Sequence, residues 1–339
     1  MDGVADQRAI DRRAAAGAAV YAALDLGTNN CRLLIARRSR ANFRVVDGFS
    51  RIVRLGAGLE ESGVLSETAM RRTVDALQVC ADKMARRGVT ASRAVATEAC
   101  RRAKNAEQFF ARVADETGIA LEAITWREEA ELTLNGCRPL LDRAMRYALV
   151  FDVGGGSAEL LWLKLNGGRA PDIVGWESLP CGVVTLAERH GKEDYTPQEF
   201  AAAVDAIAEL LVPFEQRHRI RREIDRGVVQ LLGTAGTVTT VAGVHLGLPR
   251  YNRRLVDGIW LELPAVRSVT HALARTTQAE RVANPCIGPE RADLVVAGCV
   301  VLEAVLRLWP ADRLRVADRG VREGILLALM DRGNGARHG

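Results

Sequence analysis

A glycine-containing turn between two apolar segments occurs twice in this chain of 339 residues. The second copy, DVGGGSAELL at residues 152–161, aligns without gaps with the first, DLGTNNCRLL at residues 25–34. The aspartate, the first glycine and the final pair of leucines coincide. Agreement of a turn together with its flanking strands indicates two related half-molecules, each presenting a hairpin to the other.

Each copy is predicted to be a strand, a tight turn and a second strand that can hold a phosphate. In the second copy, glycines 154–156 expose backbone N–H groups that an anion can approach closely, and Ser157 adds a hydroxyl donor. Asp152 and Glu159 bracket the turn, where carboxylates can hold a divalent cation or a water molecule. A plain glycine-rich hairpin without a ligand is the alternative for this motif taken alone.

A third turn of similar composition, GTAGT at residues 233–237, follows a strand that reads as buried. It also opens a helix, and the free N–H groups at the start of a helix bind anions. We therefore expect the glycines and threonines of this turn to contribute to phosphate binding, namely Gly233, Thr234, Gly236 and Thr237.

Two charged clusters follow the ends of predicted strands, where ligands of α/β sheets bind. Arg101, Arg102 and Lys104 come after one strand and can grip a phosphate chain, although a solvated charge run is the alternative. Glu128 and Glu129 open a helix after the next strand. Acidic residues in a first turn offset the helix dipole, yet one of these two can still act as a base.

Length and composition limit the class of protein. A chain of 339 residues predicts two domains of about 150 residues each. No apolar run approaches the ~18 residues of a membrane span, so we expect no membrane association. Residues 1–18 lack the apolar segment of a signal peptide, and we interpret them as a disordered lead-in.

Cysteine use and net charge indicate the compartment and the ligand. The seven cysteines are scattered without a CxxC pair, which suits a reducing cytoplasm and argues against zinc. A net charge of +5 and a pI near 9.0 favour an anionic ligand, with a solvated basic surface as the alternative. We expect a phosphate-bearing ligand and no nucleic-acid partner.

The order of these motifs resembles the actin/sugar-kinase/Hsp70 superfamily and, within it, the Ppx/GppA family of exopolyphosphatases and guanosine pentaphosphate (pppGpp) phosphohydrolases. The resemblance covers about residues 20–330 and rests on DLGTNNCRLLI, ATEACRRAKN, WREEAEL, FDVGGGSAEL, LPCGVVTLAER, LLGTAGTVTT, ERADLVVAG and DRGVREG. It implies an α/β fold with two ribonuclease-H-like (actin-like ATPase) domains, whose mixed sheets are flanked by helices around a cleft. We predict domains at 19–135 and 136–335, with the final helix able to pack back on the first.

The resemblance also implies roles for individual residues. It puts the catalytic base at Glu129, with Glu128 as the neighbouring alternative, and the metal and water carboxylates at Asp152 and Glu159, with Asp25 added as a possible third. The phosphate contacts that we expect in the two hairpins and the basic cluster are Asp25, Gly27, Thr28, Asn29, Arg101, Gly154, Gly155, Gly156 and Ser157. The chain departs from the family pattern at Asn30-Cys31, Glu98 and Cys100, which touches fine specificity rather than the reaction.

We therefore expect Mg²⁺- or Mn²⁺-dependent hydrolysis of the terminal phosphoanhydride of inorganic polyphosphate, with conversion of pppGpp to ppGpp as a second activity. The resemblance implies a homodimer of the short form, without the HD-type helical domain of longer members. Two other classes stay open. One is an ATP-dependent kinase of the same superfamily, which would need an acceptor pocket. The other is a non-catalytic (p)ppGpp sensor, which would have no use for the carboxylates of Glu129, Asp152 and Glu159.

Overall fold

The computed structural model describes residues 19–39, 42–191 and 194–335, which form two mixed sheets flanked by helices. The predicted lead-in at residues 1–18 lies outside the described residues. Mixed sheets covered by helices are the predicted fold class, which is confirmed.

The first sheet has five strands in the order β3-β2-β1-β4-β5. These strands are β1 Val20–Leu26, β2 Asn30–Arg38, β3 Phe43–Ile52, β4 Ala91–Ala96 and β5 Leu121–Ala123. Strand β1 pairs antiparallel with β2 and parallel with β4. It is apolar and buried along almost its whole length, as expected for a central strand covered by helices on both faces.

The second sheet has six strands in the order β10-β11-β9-β6-β7-β8. These strands are β6 Tyr147–Val153, β7 Ala158–Lys164, β8 Asp172–Leu179, β9 Val229–Thr234, β10 Trp260–Glu262 and β11 Arg313–Val316. The hairpin β6–β7 takes the place of β1–β2, and β9 runs parallel to β6 as β4 does to β1. Asp152 pairs with Glu159 in the same register in which Asp25 pairs with Arg32. The predicted internal repeat is therefore confirmed in the backbone.

Helices cover both sheets and begin where the sequence provides caps. The Thr196 side chain accepts the N–H of Glu199 in a capping box, and Ser66 caps the long helix that follows it. Asn105 occupies the N-cap position of the helix that begins at Ala106, but its side chain accepts the N–H of Leu65, 2.8 Å away, instead of an N–H of that helix. The helices of the described residues are α1 Leu59–Ser62, α2 Glu67–Arg86, α3 Glu98–Arg102, α4 Ala106–Thr117, α5 Trp126–Cys137, α6 Val183–His190, α7 Pro197–His218, α8 Ile220–Ile224, α9 Ala235–His245, α10 Arg253–Val256, α11 Leu263–Ala274, α12 Gln278–Ala283, α13 Val295–Leu308 and α14 Val321–Gly335. Among these helices, none combines the length and the apolar character that a membrane span requires.

Two helices from distant parts of the chain cross between the sheets. Helix α14 packs Ile325 and Leu326 in a core shared with the first sheet, whereas α5 packs Ala130 and Leu134 against the second. Their backbones touch at the crossing, because a Cβ on Gly324 would overlap the carbonyl of Leu132. The domain boundary expected at residues 135 and 136 falls inside α5, which ends at Cys137.

Candidate active site

The two predicted turns have the same internal geometry. Gly27 donates its N–H to the carbonyl of Asn30, and Gly154 donates to the carbonyl of Ser157, both at 2.9 Å. Each turn therefore closes over two central residues whose amides remain outside the sheet. The equivalence follows from the shared register of the hairpins.

The two turns face each other at close range. A Cβ on Gly155 would lie 3.1 Å from the backbone nitrogen of Asn29, and one on Gly156 would lie 2.7 Å from Thr28 Oγ1. A side chain on Gly156 would collide with the opposite turn, and one on Gly155 would force that turn to shift by a few tenths of an ångström. The glycines are therefore needed for the approach of the two halves as well as for any ligand.

The start of α6 sets the orientation of the second turn. Gly182, Val183 and Val184 donate their N–H groups to the carbonyls of glycines 154–156, at 3.2, 3.0 and 2.8 Å. The amides of Gly155 and Gly156 themselves donate to none of the described residues, which leaves them available for an anion. Gly182 has a packing role that motif analysis did not assign, since a Cβ there would overlap the Gly155 backbone.

One cavity between the halves collects most of the predicted site. Arg101, Glu128 and Gly233 are not among the residues that line it. Gly233 lies in the core, where a Cβ would come within 2.7 Å of the Phe151 ring. The predicted residues that do line the cavity are Asp25, Gly27, Thr28, Asn29, Glu129, Asp152, Gly154, Gly155, Gly156, Ser157, Glu159, Thr234, Gly236 and Thr237.

Four arginines that lie within the quoted motifs, but were given no role from the sequence, also line the cavity, namely Arg32, Arg291, Arg319 and Arg322. The Arg319 guanidinium is held by two oxygens of Asp257. Arg32 forms no hydrogen bond or ion pair through its side chain within the described residues. Arg319 and Arg322 follow the end of β11, so the strand-end argument applied to Arg101 would have found them.

Four carboxyl groups meet in this cavity, of which Glu159 is buried and Asp25, Glu129 and Asp152 are half-buried. Burial raises the pKa of Glu129 to about 7, against the opposing charge of Arg101. Burial likewise raises the pKa of Asp152 to about 6 and that of Asp25 above its usual range. The pKa of Glu159 is raised well above the ordinary value by burial, and then by its neighbours Glu129 and Asp152. Carboxylates that repel one another in this way favour a cation or a proton between them.

The two adjacent glutamates of α5 point to different surroundings. Glu129 has a side chain only 14% exposed, and its Oε2 accepts from Arg101 Nη1 at 2.6 Å. Glu128 is 38% exposed and accepts from Arg93 Nη2 at 2.5 Å, outside the cavity. The structure therefore places Glu129 with the turns, and it places Arg101 beside Glu129.

Ser157 lines the cavity, but its hydroxyl is already engaged. It donates to Glu159 Oε1 at 2.5 Å, and the hydroxyl of Ser178 donates to the same oxygen at 3.0 Å. Both serines orient the Glu159 carboxylate in this structure. The predicted bond from Ser157 to a phosphate stays a prediction and requires that hydroxyl to turn.

Three polar side-chain atoms of the first turn have no hydrogen-bond partner within the described part of the chain. Thr28 Oγ1, Asn29 Oδ1 and Asn30 Oδ1 are buried and have no partner among the described residues. Buried polar atoms are normally hydrogen-bonded, so the first turn has side-chain capacity for a ligand or water.

The carboxylates of the cavity fit a hard divalent cation that is shared with a substrate. Within the described ranges, no three His, Cys, Asp or Glu side chains are arranged to hold a metal ion by themselves. Mg²⁺ usually takes only one or two carboxylates and completes its shell with water and substrate phosphates. Asp152 and Glu159, opposite each other on β6 and β7, can supply such a pair, with Asp25 in the same cavity.

Known proteins share this arrangement of sequence and fold. The model of the Ppx/GppA phosphatase family matches residues 34–333. A protein named exopolyphosphatase 2 from Mycobacterium tuberculosis is 33% identical over 322 residues, covering 91% of this chain and 98% of its own. The crystal structure of an exopolyphosphatase from Cytophaga hutchinsonii has a TM-score of 0.83 at 26% identity, with 92% and 98% covered. The Ppx/GppA family member from Aquifex aeolicus has a TM-score of 0.73 at 27% identity, with 93% and 99% covered.

Proposed function

This chain belongs to the Ppx/GppA phosphatase family, and we propose that it is a hydrolase that releases the terminal phosphate of inorganic polyphosphate. The observation that carries the proposal is the position of Glu129. A buried carboxylate with a pKa of about 7 lies in one cavity with two turns built for anions. The relatives named as exopolyphosphatases support polyphosphate as the substrate, and no observation favours a kinase or a sensor.

In the proposed reaction, a water molecule attacks the terminal phosphorus and the bond to the bridging oxygen breaks. Glu129 takes the proton of the water, while the amides of Gly155 and Gly156 and the side chains of Thr28 and Asn29 hold the transferred phosphoryl group. The products are orthophosphate and a chain that is one phosphate shorter. A general base typically contributes ~10²–10⁴-fold, and positioning and electrostatics contribute more in phosphoryl transfer.

We propose Mg²⁺ or Mn²⁺ as the cofactor, held by Asp152 and Glu159 with Asp25 nearby. A divalent cation at this place offsets the charge of the phosphates when it is bound. The raised pKa values of these carboxyl groups support the proposal, because a cation among them replaces their mutual repulsion with attraction.

Orthophosphate release from long-chain polyphosphate tests both proposals separately. We expect release with Mg²⁺ or Mn²⁺, its loss after addition of EDTA, and its recovery with excess cation. Absence of release with either cation would contradict the hydrolase. Full activity after exhaustive chelation would contradict only the metal.

We propose conversion of pppGpp to ppGpp as a second activity, since pppGpp also ends in a phosphoanhydride. The arginines that line the cavity, Arg32 and Arg291 among them, supply positive charge for additional phosphates. A comparison of kcat/KM on long polyphosphate, tripolyphosphate and pppGpp decides which substrate is preferred. Turnover of polyphosphate alone would limit the chain to the first activity.

We also propose a homodimer in the cytoplasm. The seven cysteines are all free thiols in buried positions, which supports a reducing compartment. Light scattering of the purified protein measures the mass directly, and a monomer across the working concentration range would contradict the dimer.

A further inference from the structure

Glu98 is a buried carboxylate close to Glu129 that the reaction above does not use. Its side chain is 9% exposed. Its Oε2 accepts two hydrogen bonds, from Arg101 Nη2 at 3.1 Å and from the indole N–H of Trp126 at 2.9 Å. The indole therefore fixes the carboxylate oxygen that faces Arg101.

The guanidinium of Arg101 is divided between two carboxylates. One arm, Nη1, donates to Glu129 Oε2 at 2.6 Å and to the carbonyl of Ile124 at 3.0 Å. The other arm, Nη2, is the one bound to Glu98. The guanidinium carbon also lies 5.3 Å from the centre of the Trp126 ring, so Trp126 contacts both members of the Glu98–Arg101 pair.

This division leaves one oxygen of the base unoccupied. Arginine and carboxylate frequently form a bidentate pair, in which both carboxylate oxygens accept a hydrogen bond. Here Glu129 receives a single donor at Oε2, and no donor from the described residues reaches its Oε1. A general base needs such a free oxygen to accept the proton of the attacking water.

We propose that Glu98, anchored by Trp126, is a positioning residue that holds one arm of Arg101 away from Glu129 and so keeps Glu129 Oε1 open to water. The inference rests on the proposed hydrolysis and goes beyond it by naming what orients the base. Glu98 orients the base through Arg101 and needs an acceptor oxygen at this position. Its negative charge, which Oε1 also presents to Arg102 Nε at 3.9 Å, is secondary.

Two substitutions at Glu98 separate these requirements. Glu98→Gln keeps an oxygen that can accept from Arg101 and Trp126, and Glu98→Ala removes it. We expect Glu98→Ala to lower kcat on polyphosphate about 10-fold or more, because a misplaced catalytic group is costly. Glu98→Gln retains kcat to within about 3-fold, and KM changes by less than about 3-fold in both variants, as expected for an interaction used in the transition state. Trp126→Phe keeps an aromatic ring and removes the N–H, and its kcat should lie between those of Glu98→Gln and Glu98→Ala.

Control variants distinguish positioning from loss of folding. Glu131→Gln breaks an exposed pair with Arg127 on the same helix and should keep both kcat and the melting temperature. In a Glu129→Gln background, Glu98→Ala should lower kcat no further, because the base that it orients is already gone. A crystal structure of Glu98→Ala should show both arms of Arg101 on Glu129.

Several outcomes would overturn the proposal. Glu98→Gln as impaired as Glu98→Ala would mean that charge, and not the acceptor, is required. Unchanged kcat in a folded Glu98→Ala protein, or an additional loss in the Glu129→Gln background, would place the role of Glu98 elsewhere. Wild-type protein without orthophosphate release would contradict the proposed function itself. In that case a crystal structure of Glu98→Ala still tests the positioning role. Arg101 bound to only one oxygen of Glu129 in that structure would contradict the role.

Discussion

At the scale of single residues, the environment of Glu129 differs from that of its neighbour on α5. Burial gives Glu129 a pKa of about 7, so below that pH the group is increasingly protonated and cannot act as a base. Glu128 sits outside the cavity with Arg93. The same residue type in adjacent positions therefore has two different chemical environments.

The first prediction concerns Glu129→Gln, which keeps the shape of the side chain and removes its basicity. We expect kcat to fall ~10²-fold or more while KM changes little. Wild-type kcat/KM should fall as the pH drops below about 7, and the residual activity of the variant should lack this acidic limb. Glu128→Gln should lose much less activity. An inactive Glu128→Gln protein together with an active Glu129→Gln protein would show that Glu128, and not Glu129, is the base.

The second prediction concerns the stability cost of the carboxylate cluster. The pKa of Asp152 is about 6 in the folded chain and near 3.8 when unfolded, so the folded state holds its proton more tightly. The cost of ionising this group is absent below the unfolded pKa, grows as pH rises and is complete above the folded pKa. Without metal, Asp152→Asn should therefore be more stable than wild type at pH 7, by up to about 3 kcal/mol.

Urea unfolding in EDTA at several pH values measures this difference. The stability advantage of Asp152→Asn over wild type should become smaller as the pH approaches 4. The variant itself should have lost its activity. An Asp152→Asn protein that is less stable than wild type at pH 7 would show that the carboxylate has a favourable partner in the folded chain.

At the scale of elements, the turn of the hairpin β6–β7 packs against the opposite turn, and we propose that the same turn binds the phosphoryl group. The third prediction is that Gly155→Val abolishes most activity, because the branched side chain would press on Thr28 and Asn29 of the opposite turn. Circular dichroism should show the fold intact. Gly48→Val on the edge strand β3 is the matched control, since a Cβ there meets only ordinary contacts at 3.4 Å and beyond. Wild-type activity of a folded Gly155→Val protein would refute the binding role of the turn.

At the scale of the whole molecule, the segment after β3 joins the two halves through side chains. Arg54 pairs with Asp293 at 2.8 Å, and Glu60 pairs with Arg189 at 2.8 Å. Exposed ion pairs contribute about 0–1 kcal/mol each, which is small beside the energy that holds each half together. These two ion pairs therefore favour the approach of the two halves, but they do not determine the fold of either half.

The fourth prediction is that Glu60→Ala with Asp293→Ala raises KM for polyphosphate about 3- to 10-fold and leaves kcat within about 2-fold, as loss of about 0.7–1.4 kcal/mol of closure free energy implies. The radius of gyration from X-ray scattering should increase. Asp225→Ala removes an exposed ion pair with Arg221 at the end of α8, far along the chain from both pairs, and serves as the control. Because salt screens such pairs, the difference in KM between wild type and the double variant should become smaller at high ionic strength. A difference that does not change with salt would exclude an electrostatic contribution of the two ion pairs.

The sequence alone determined the local features of this protein. The two hairpins and their shared register follow from patterns within about ten residues, where glycine freedom and strand alternation act directly. The placement of Asp25, Asp152 and Glu159 in one cavity followed from the repeat, because equivalent strands end at the same edge of equivalent sheets.

Only the tertiary structure decided which of two adjacent glutamates faces the cavity, since neighbours on a helix point about 100° apart and the pattern of α5 permits either. It also decided that Arg101 divides its guanidinium between Glu129 and Glu98, and that Gly233 serves the core. The arginines of the cavity come from segments as distant as Arg32 and Arg322. Such contacts depend on how whole sheets and the crossing helices pack, and side-chain direction at a site is set by that packing rather than by residues nearby in the chain.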